Sequence, residues 1–174
     1  MTPGDDVHYV GDISELEIGE RFDCVAALDI LEHLENPFAV FDKLYRLAKM
    51  MLVVSLPNCF DIRAKVNFLC RDRVGGKYDF GLQHRQDRHR WIMSCDEIRR
   101  FYRCKAEAHG ASLRMTDVSL FDEVRGWTVA KAFKALPLLA VPPSWRTSQI
   151  IGVFSISHAS RSINFPHGET HISP

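Results

Sequence analysis

Asp29, Glu32 and His33 stand at i, i+3 and i+4 in the segment Leu28-Asp29-Ile30-Leu31-Glu32-His33. On a helix that spacing brings all three side chains to one face. Two carboxylates and an imidazole so arranged suit a divalent cation. The hard oxygens favour magnesium, and the imidazole admits zinc or manganese. The competing reading is an ordinary polar helix start. A second candidate is Asp12-Ile13, directly after Gly11. Its carboxylate can accept from the exocyclic amine of an adenine while the aliphatic neighbour packs on the ring; the same residues also make a turn. A third is the cationic cluster His84, Arg85, Arg88, His89, Arg90, Arg99, Arg100, Arg103 and Lys105. It fits an anionic ligand such as a phosphate, a nucleotide sugar or RNA, or else a solvated helix face beside a polar loop.

The 174 residues carry 22 Lys+Arg against 22 Asp+Glu. This balance makes nucleic acid an unexpected partner without excluding it. No apolar run reaches the length of a bilayer span. The start, MTPGDDVHYV, lacks the basic-then-apolar pattern of a signal peptide, so a cytoplasmic location is expected. The cysteines are Cys24, Cys59, Cys70, Cys95 and Cys104, with no C-x-x-C pair, which speaks for reduced thiols and against a zinc knuckle. Cys24 and Cys70 fall on apolar faces and are expected in the core. Gly76 and Gly81 have Walker-like spacing, but Leu82-Gln83 follow where Lys-Ser/Thr is required, so a P-loop is excluded. There is no G-x-S-x-G nucleophile elbow.

The elements that must position these residues read as alternating strands and helices. Val7 to Val10 is a short strand ending at Gly11-Asp12. FDCVAAL, from Phe22 to Leu28, is an apolar run suited to a strand buried on both faces. Asn36 then caps a helix with Pro37 in its first turn, burying Phe38, Phe41, Tyr45 and Ala48. Met50 to Leu56 is a second buried strand, stopped by Pro57. Asp61 caps a helix with Ile62, Val66 and Leu69 on one face, and residues 71–90 read as a polar loop. Ser94 and Glu97 form a capping box for a helix carrying Ile98, Phe101, Tyr102 and Ala106, ended by Gly110. Two more strands are predicted, Ser112 to Leu120 and Gln149 to Ser157, with an apolar stretch over 127–141 between them. That stretch is expected to pack as a helix followed by an extended lid. The pattern is α/β, and in open α/β sheets ligands bind beyond the carboxyl ends of the strands.

Three segments carry a family resemblance. Residues 22–58, FDCVAALDILEHLENPFAVFDKLYRLAKMMLVVSLPN, resemble the middle of class I S-adenosylmethionine-dependent methyltransferases, with the L-E-H-L block as the most specific part. VHYVGDISE at 7–15 is similar to that family's third strand and its adenine-side Asp, and DRHRWIMSCDEIRRFY at 87–102 is similar to a later segment. The resemblance implies a Rossmann-like, mostly parallel sheet with an antiparallel last strand. It implies S-adenosyl-L-methionine at the strand ends, with Asp12 and Ile13 beside the adenine and Leu28 and Asp29 near the methionine. The family's glycine-rich G-x-G loop and its acidic second-strand end have no counterpart here. The sheet is therefore expected to be incomplete at its N-terminus. Residues 7–10 should then be peripheral or poorly paired, and the edge of the Phe22–Leu28 strand open to a partner chain.

Asp29, Glu32 and His33 also resemble the E-x-x-E-H element of small-RNA 2′-O-methyltransferases and ubiquinone-pathway O-methyltransferases, with Asp in place of the first Glu. That element binds a metal together with a downstream histidine, a place that His89 fills best. The expected organisation is a partial methyltransferase domain over 1–157 and a flexible tail over 158–174. The expected activity is methyl transfer from S-adenosylmethionine to a small-molecule or other acceptor, with no catalytic base assigned. The rivals are a non-catalytic remnant acting as an interaction module and a metal- or nucleotide-binding subunit of a larger assembly.

Overall fold

A computed structural model describes residues 8–73, 76–78, 88–120 and 140–156. Four strands form one sheet: β1 (Phe22–Leu28), β2 (Ala48–Pro57), β3 (Ser112–Ser119) and β4 (Thr147–Ser155). Their order across the sheet is β1-β2-β4-β3. β1 and β2 are parallel, while β4 runs antiparallel to both β2 and β3. Three strands thus share a direction and the last is reversed, as expected.

Local chemistry sets the helix boundaries. Helix α1 (Pro37–Leu47) starts where the Asn36 side chain accepts from the Ala39 N–H, with Pro37 at a position that needs no donor. Asp61 does the same for α2 (Ile62–Arg71) through the Ala64 N–H. Helix α3 (Cys95–His109) opens with the reciprocal Ser94–Glu97 box and stops at Gly110, whose φ of 60° lies in the left-handed region. A short α4 (Pro143–Arg146) leads into β4.

The core lies between one face of the sheet and helices α1 and α3. Leu52, Val54 and Leu56 of β2 and Ile150 and Phe154 of β4 are fully buried there with Phe41, Ile98 and Tyr102. Each such side chain contributes about 1.5–3 kcal/mol of burial. Tyr102 donates its hydroxyl toward the carbonyls of Val54 (3.0 Å) and Ile150 (3.1 Å), tying α3 to the β2–β4 pair.

Several expectations need correction. β1 is not buried on both faces: Ala27 is its sole buried residue, because the strand lies at the sheet edge. Residues 8–10 form no strand, against the strand reading, and pair with no strand among the described residues, in line with the expected poor pairing. Phe38 is exposed, and α1 buries Val40 and Leu44 instead. α2 buries none of its residues, and its Val66 and Leu69 face outward. Cys24 and Cys70 are exposed: among the described residues β1 has no neighbouring strand on one side, and α2, which carries Cys70, buries none of its residues. The N-terminal tail start, most of the 71–90 loop, the apolar stretch up to residue 139, His84, Arg85 and the tail over 158–174 lie outside the described residues.

Candidate functional site

Three chain segments meet beyond the carboxyl ends of β1 and β2. The first follows β1: Asp29 adopts a left-handed backbone (φ 54°) and Leu31–His33 then make a single 3-10 turn. The second is the turn after β2, from Asn58 to Asp61. The third is the stretch 88–93, which crosses the other two. The Arg90 N–H donates to the Glu32 carbonyl and the Cys59 N–H to the Met93 carbonyl, both at 2.8 Å. The Trp91 indole N–H donates to the Leu34 carbonyl at 2.8 Å. Arg90 pairs with Glu35 at 2.8 Å.

Glu32 sits at the bottom of this junction. Its residue is 0% exposed, and neither carboxylate oxygen has a hydrogen-bond partner among the described residues. Oε1 faces His33 Nε2 at 3.9 Å and His89 Nε2 at 3.8 Å. The two imidazoles meet edge to face, with centroids 4.6 Å apart. One donor atom from each of Glu32, His33 and His89 falls within 4.8 Å of the others. Burial pushes the Glu32 carboxyl above its ordinary range, since little here solvates the charged form. The Nδ1 atom of His33 lies 3.0 Å from the Arg88 carbonyl, which can only accept, so Nδ1 carries a proton and the Nε2 edge of the ring faces Glu32. A carboxylate and two such imidazoles make an N₂O donor set. That set suits a first-row transition metal or zinc better than magnesium.

Asp29 stands apart from this group. Its left-handed backbone turns the chain before the 3-10 turn begins, so the helical i, i+3, i+4 face does not exist. Its Oδ1 instead accepts from the Ser55 hydroxyl at 3.0 Å and from the Gln149 amide, while its N–H donates to Ser55 Oγ at 2.9 Å. Aspartate tolerates the left-handed region better than most residues, and this ring of bonds holds it there. Leu28 and Ile30, on either side, are exposed.

Asp12 lies in a turn of its own. Its Oδ1 accepts from the Ser14 N–H (2.8 Å) and hydroxyl (2.5 Å), and its carbonyl accepts from the N–H groups of Glu15 and Leu16. The bonds from Ser14 lower the Asp12 carboxyl below its usual range. Lys43 of α1 donates to the Ser14 carbonyl at 3.1 Å, and Ile13 packs against the core. The cationic cluster is not one free patch. Arg90, Arg99 and Lys105 are spent on Glu35, Asp117 and Asp42.

The sequence reading did not single out Ser55, Gln149 or Tyr78. A serine near the carboxyl end of the apolar run MMLVVSLP was a readable signal for the first. The other two reach the site only through tertiary packing. Beside the site lies an apolar cleft of about 530 Å³, lined by Cys59, Phe60, Ile62, Val66, Leu69, Ile92 and Trp145 among others. Lys65 is its cationic lining residue, with Nζ 4.8 Å from the Trp145 ring.

Comparison with solved structures adds to this geometry. The small RNA methyltransferase HEN1 is similar over 89% of this chain and 16% of its own, at 18% identity and a TM-score of 0.52. The methyltransferase domain of bacterial CtHen1 is similar over 79% of this chain and 54% of its own, at 19% identity and a TM-score of 0.44. Magnesium protoporphyrin IX methyltransferase (ChlM) from Synechocystis PCC 6803, solved with bound SAH, matches 84% of this chain and 49% of its own, at 18% identity and a TM-score of 0.46. The chain therefore spans about half the length of the last two and far less of HEN1. No protein-family profile and no curated protein matches it. The chain has the class I methyltransferase fold, with its last strand reversed in the sheet.

Proposed function

We propose that this chain works in S-adenosylmethionine-dependent methyl transfer to a hydroxyl oxygen of a small-molecule acceptor, with a divalent cation held by Glu32, His33 and His89. The observation that carries the reading is the Glu32 carboxylate, wholly buried with no hydrogen-bond partner among the described residues and facing two imidazole Nε2 atoms. A buried carboxylate without partners is strongly unfavourable, and a cation between it and the imidazoles would relieve that. When bound, such a cation would hold the acceptor hydroxyl and lower its pKa.

The chain's own residues would do the remaining work by position. The sulfonium of the methyl donor is already activated, so alignment of donor and acceptor supplies most of what the transfer needs. Leu28 and Asp29 would line the methionine side at the end of β1. Asp12 and Ile13 would line the adenine side. Ser55 and Gln149 would keep Asp29 in place. The cleft lined by Phe60, Ile92 and Trp145 adjoins the site through Cys59 and would take an apolar acceptor body, away from water. The apolar cleft favours a small-molecule acceptor.

A second reading has an observation of its own. β1 has no strand partner on its outer side among the described residues, and Phe22 and Leu28 are exposed there. An interaction module in which a partner chain adds a strand to β1 fits that edge. Isothermal titration of S-adenosylmethionine, with and without Mn²⁺, separates the two. Binding on the order of micromolar Kd supports the enzyme reading, and none at about millimolar supports the interaction module.

A further inference from the structure

We propose that Tyr78 is the positioning residue of the Glu32–His33–His89 site, fixing the tautomer and orientation of His89 so that Nε2 faces the cation. The inference rests on the metal reading above. Tyr78 ends a short 3-10 turn, Gly76–Tyr78, and stands 11 residues before His89 in the chain. Its phenol oxygen lies 2.8 Å from His89 Nδ1 and 3.1 Å from the Trp91 carbonyl, and it touches Cys59 Sγ. The two rings meet edge to face at 4.9 Å.

The proton count decides the roles. A carbonyl oxygen can only accept, so the single phenol proton goes to Trp91. Toward His89 the phenol oxygen must then accept, which places the imidazole proton on Nδ1. Nε2, on the opposite side of the ring, keeps its lone pair and faces Glu32 Oε1 at 3.8 Å. The Arg88 carbonyl does the same for His33. Each imidazole is therefore anchored through Nδ1 by an oxygen acceptor and presents Nε2 inward, the arrangement by which outer groups orient metal-binding histidines. Cys59 Sγ, which also touches the phenol, accepts from the Met93 N–H at 3.3 Å, while the Trp91 and His89 contacts are what fix the proton and orientation of the phenol.

The test uses two readouts on the full chain. Long-range ¹H–¹⁵N spectra of the metal-free protein report the His89 tautomer, assigned with an H89Q variant. Co²⁺ titration, followed in the visible region, reports affinity. In the parent, His89 should be protonated at Nδ1. In Y78F it should shift toward the Nε2-protonated form, and Co²⁺ affinity should fall about 10- to 100-fold. C59A, which removes the sulfur contact but leaves the phenol, should change neither readout. A Y78F protein that keeps both tautomer and affinity, or a C59A protein that loses as much as Y78F, overturns the inference while leaving the metal reading intact. A parent that takes up no Co²⁺ overturns the metal reading and this inference with it.

Discussion

The Nε2 atom of His89 lies 3.8 Å from Oε1 of Glu32, although the two residues sit on opposite sides of the second strand and second helix in the chain. What brings them together is the 88–93 stretch. Its backbone docks on the Leu31–His33 turn through Arg90 and on the turn after β2 through Met93. The junction lies beyond the carboxyl ends of two parallel strands, where open α/β sheets place their ligands.

Asp29 and Glu32 should answer to different ligands. Ser55→Ala removes two of the three bonds that hold Asp29 in its left-handed turn, leaving the one from Gln149. S-adenosylmethionine affinity is expected to fall by about tenfold, in keeping with the loss of one or two hydrogen bonds. Mn²⁺ affinity should stay where it is, because Asp29 is not among the converging donors. Calorimetry with each ligand on S55A and the parent decides this. An equal loss for both ligands would show that Asp29 belongs to the metal group after all.

Gly152 is a packing position rather than a turn. A Cβ there would stand 2.9 Å from the Tyr102 ring and 3.0 Å from Phe154. Tyr102 is fully buried and cannot swing away without breaking its bonds to Val54 and Ile150. Gly152→Ala should destabilise the fold by about 1–3 kcal/mol through overpacking. Urea unfolding should show a lower midpoint with an unchanged slope, and an unchanged midpoint would mean that the β4–α3 contact is looser than described.

Acid should weaken the contact between α1 and α3. Burial alone would raise the Asp42 carboxyl, but the bonds from Lys105 (2.7 Å) and His109 (2.8 Å) outweigh it and hold the group below its ordinary value. For a depressed carboxyl the stabilisation is present above the unfolded value, about 3.9, and is lost as pH falls through the folded one. Asp42→Asn should therefore cost about 1 kcal/mol near neutral pH, reduced by salt because the group is partly exposed. It should cost progressively less as the pH is lowered past that value. Thermal melts of both proteins across acid pH measure this, and a pH-independent difference would contradict it.

Much of the fold was legible in local sequence, because caps and strand runs are local chemistry. Asn36-Pro37, Asp61, the Ser94–Glu97 box and Gly110 bound their helices as read. FDCVAAL is the strand it was expected to be, over the same residues. Burial was less legible. The same apolar run does not tell an edge strand from a central one, so β1 and Cys24 were expected inside. At the site, Glu32, His33 and His89 come together, while Asp29 does not. A single left-handed residue undid the assumed helical spacing, and no periodicity argument anticipates that. Tyr78 sits in a polar, glycine-containing segment with no pattern to mark it. Its role follows from its contacts with His89 and Trp91.

The most direct test of the metal reading is a titration of the chelator-treated protein with Mn²⁺, followed by loss of the aqua-ion electron paramagnetic resonance signal. The parent should take up one ion per chain and Glu32→Gln none specifically, with Asp29→Asn binding like the parent. Equal uptake by the parent and Glu32→Gln, or none by either, would contradict that reading.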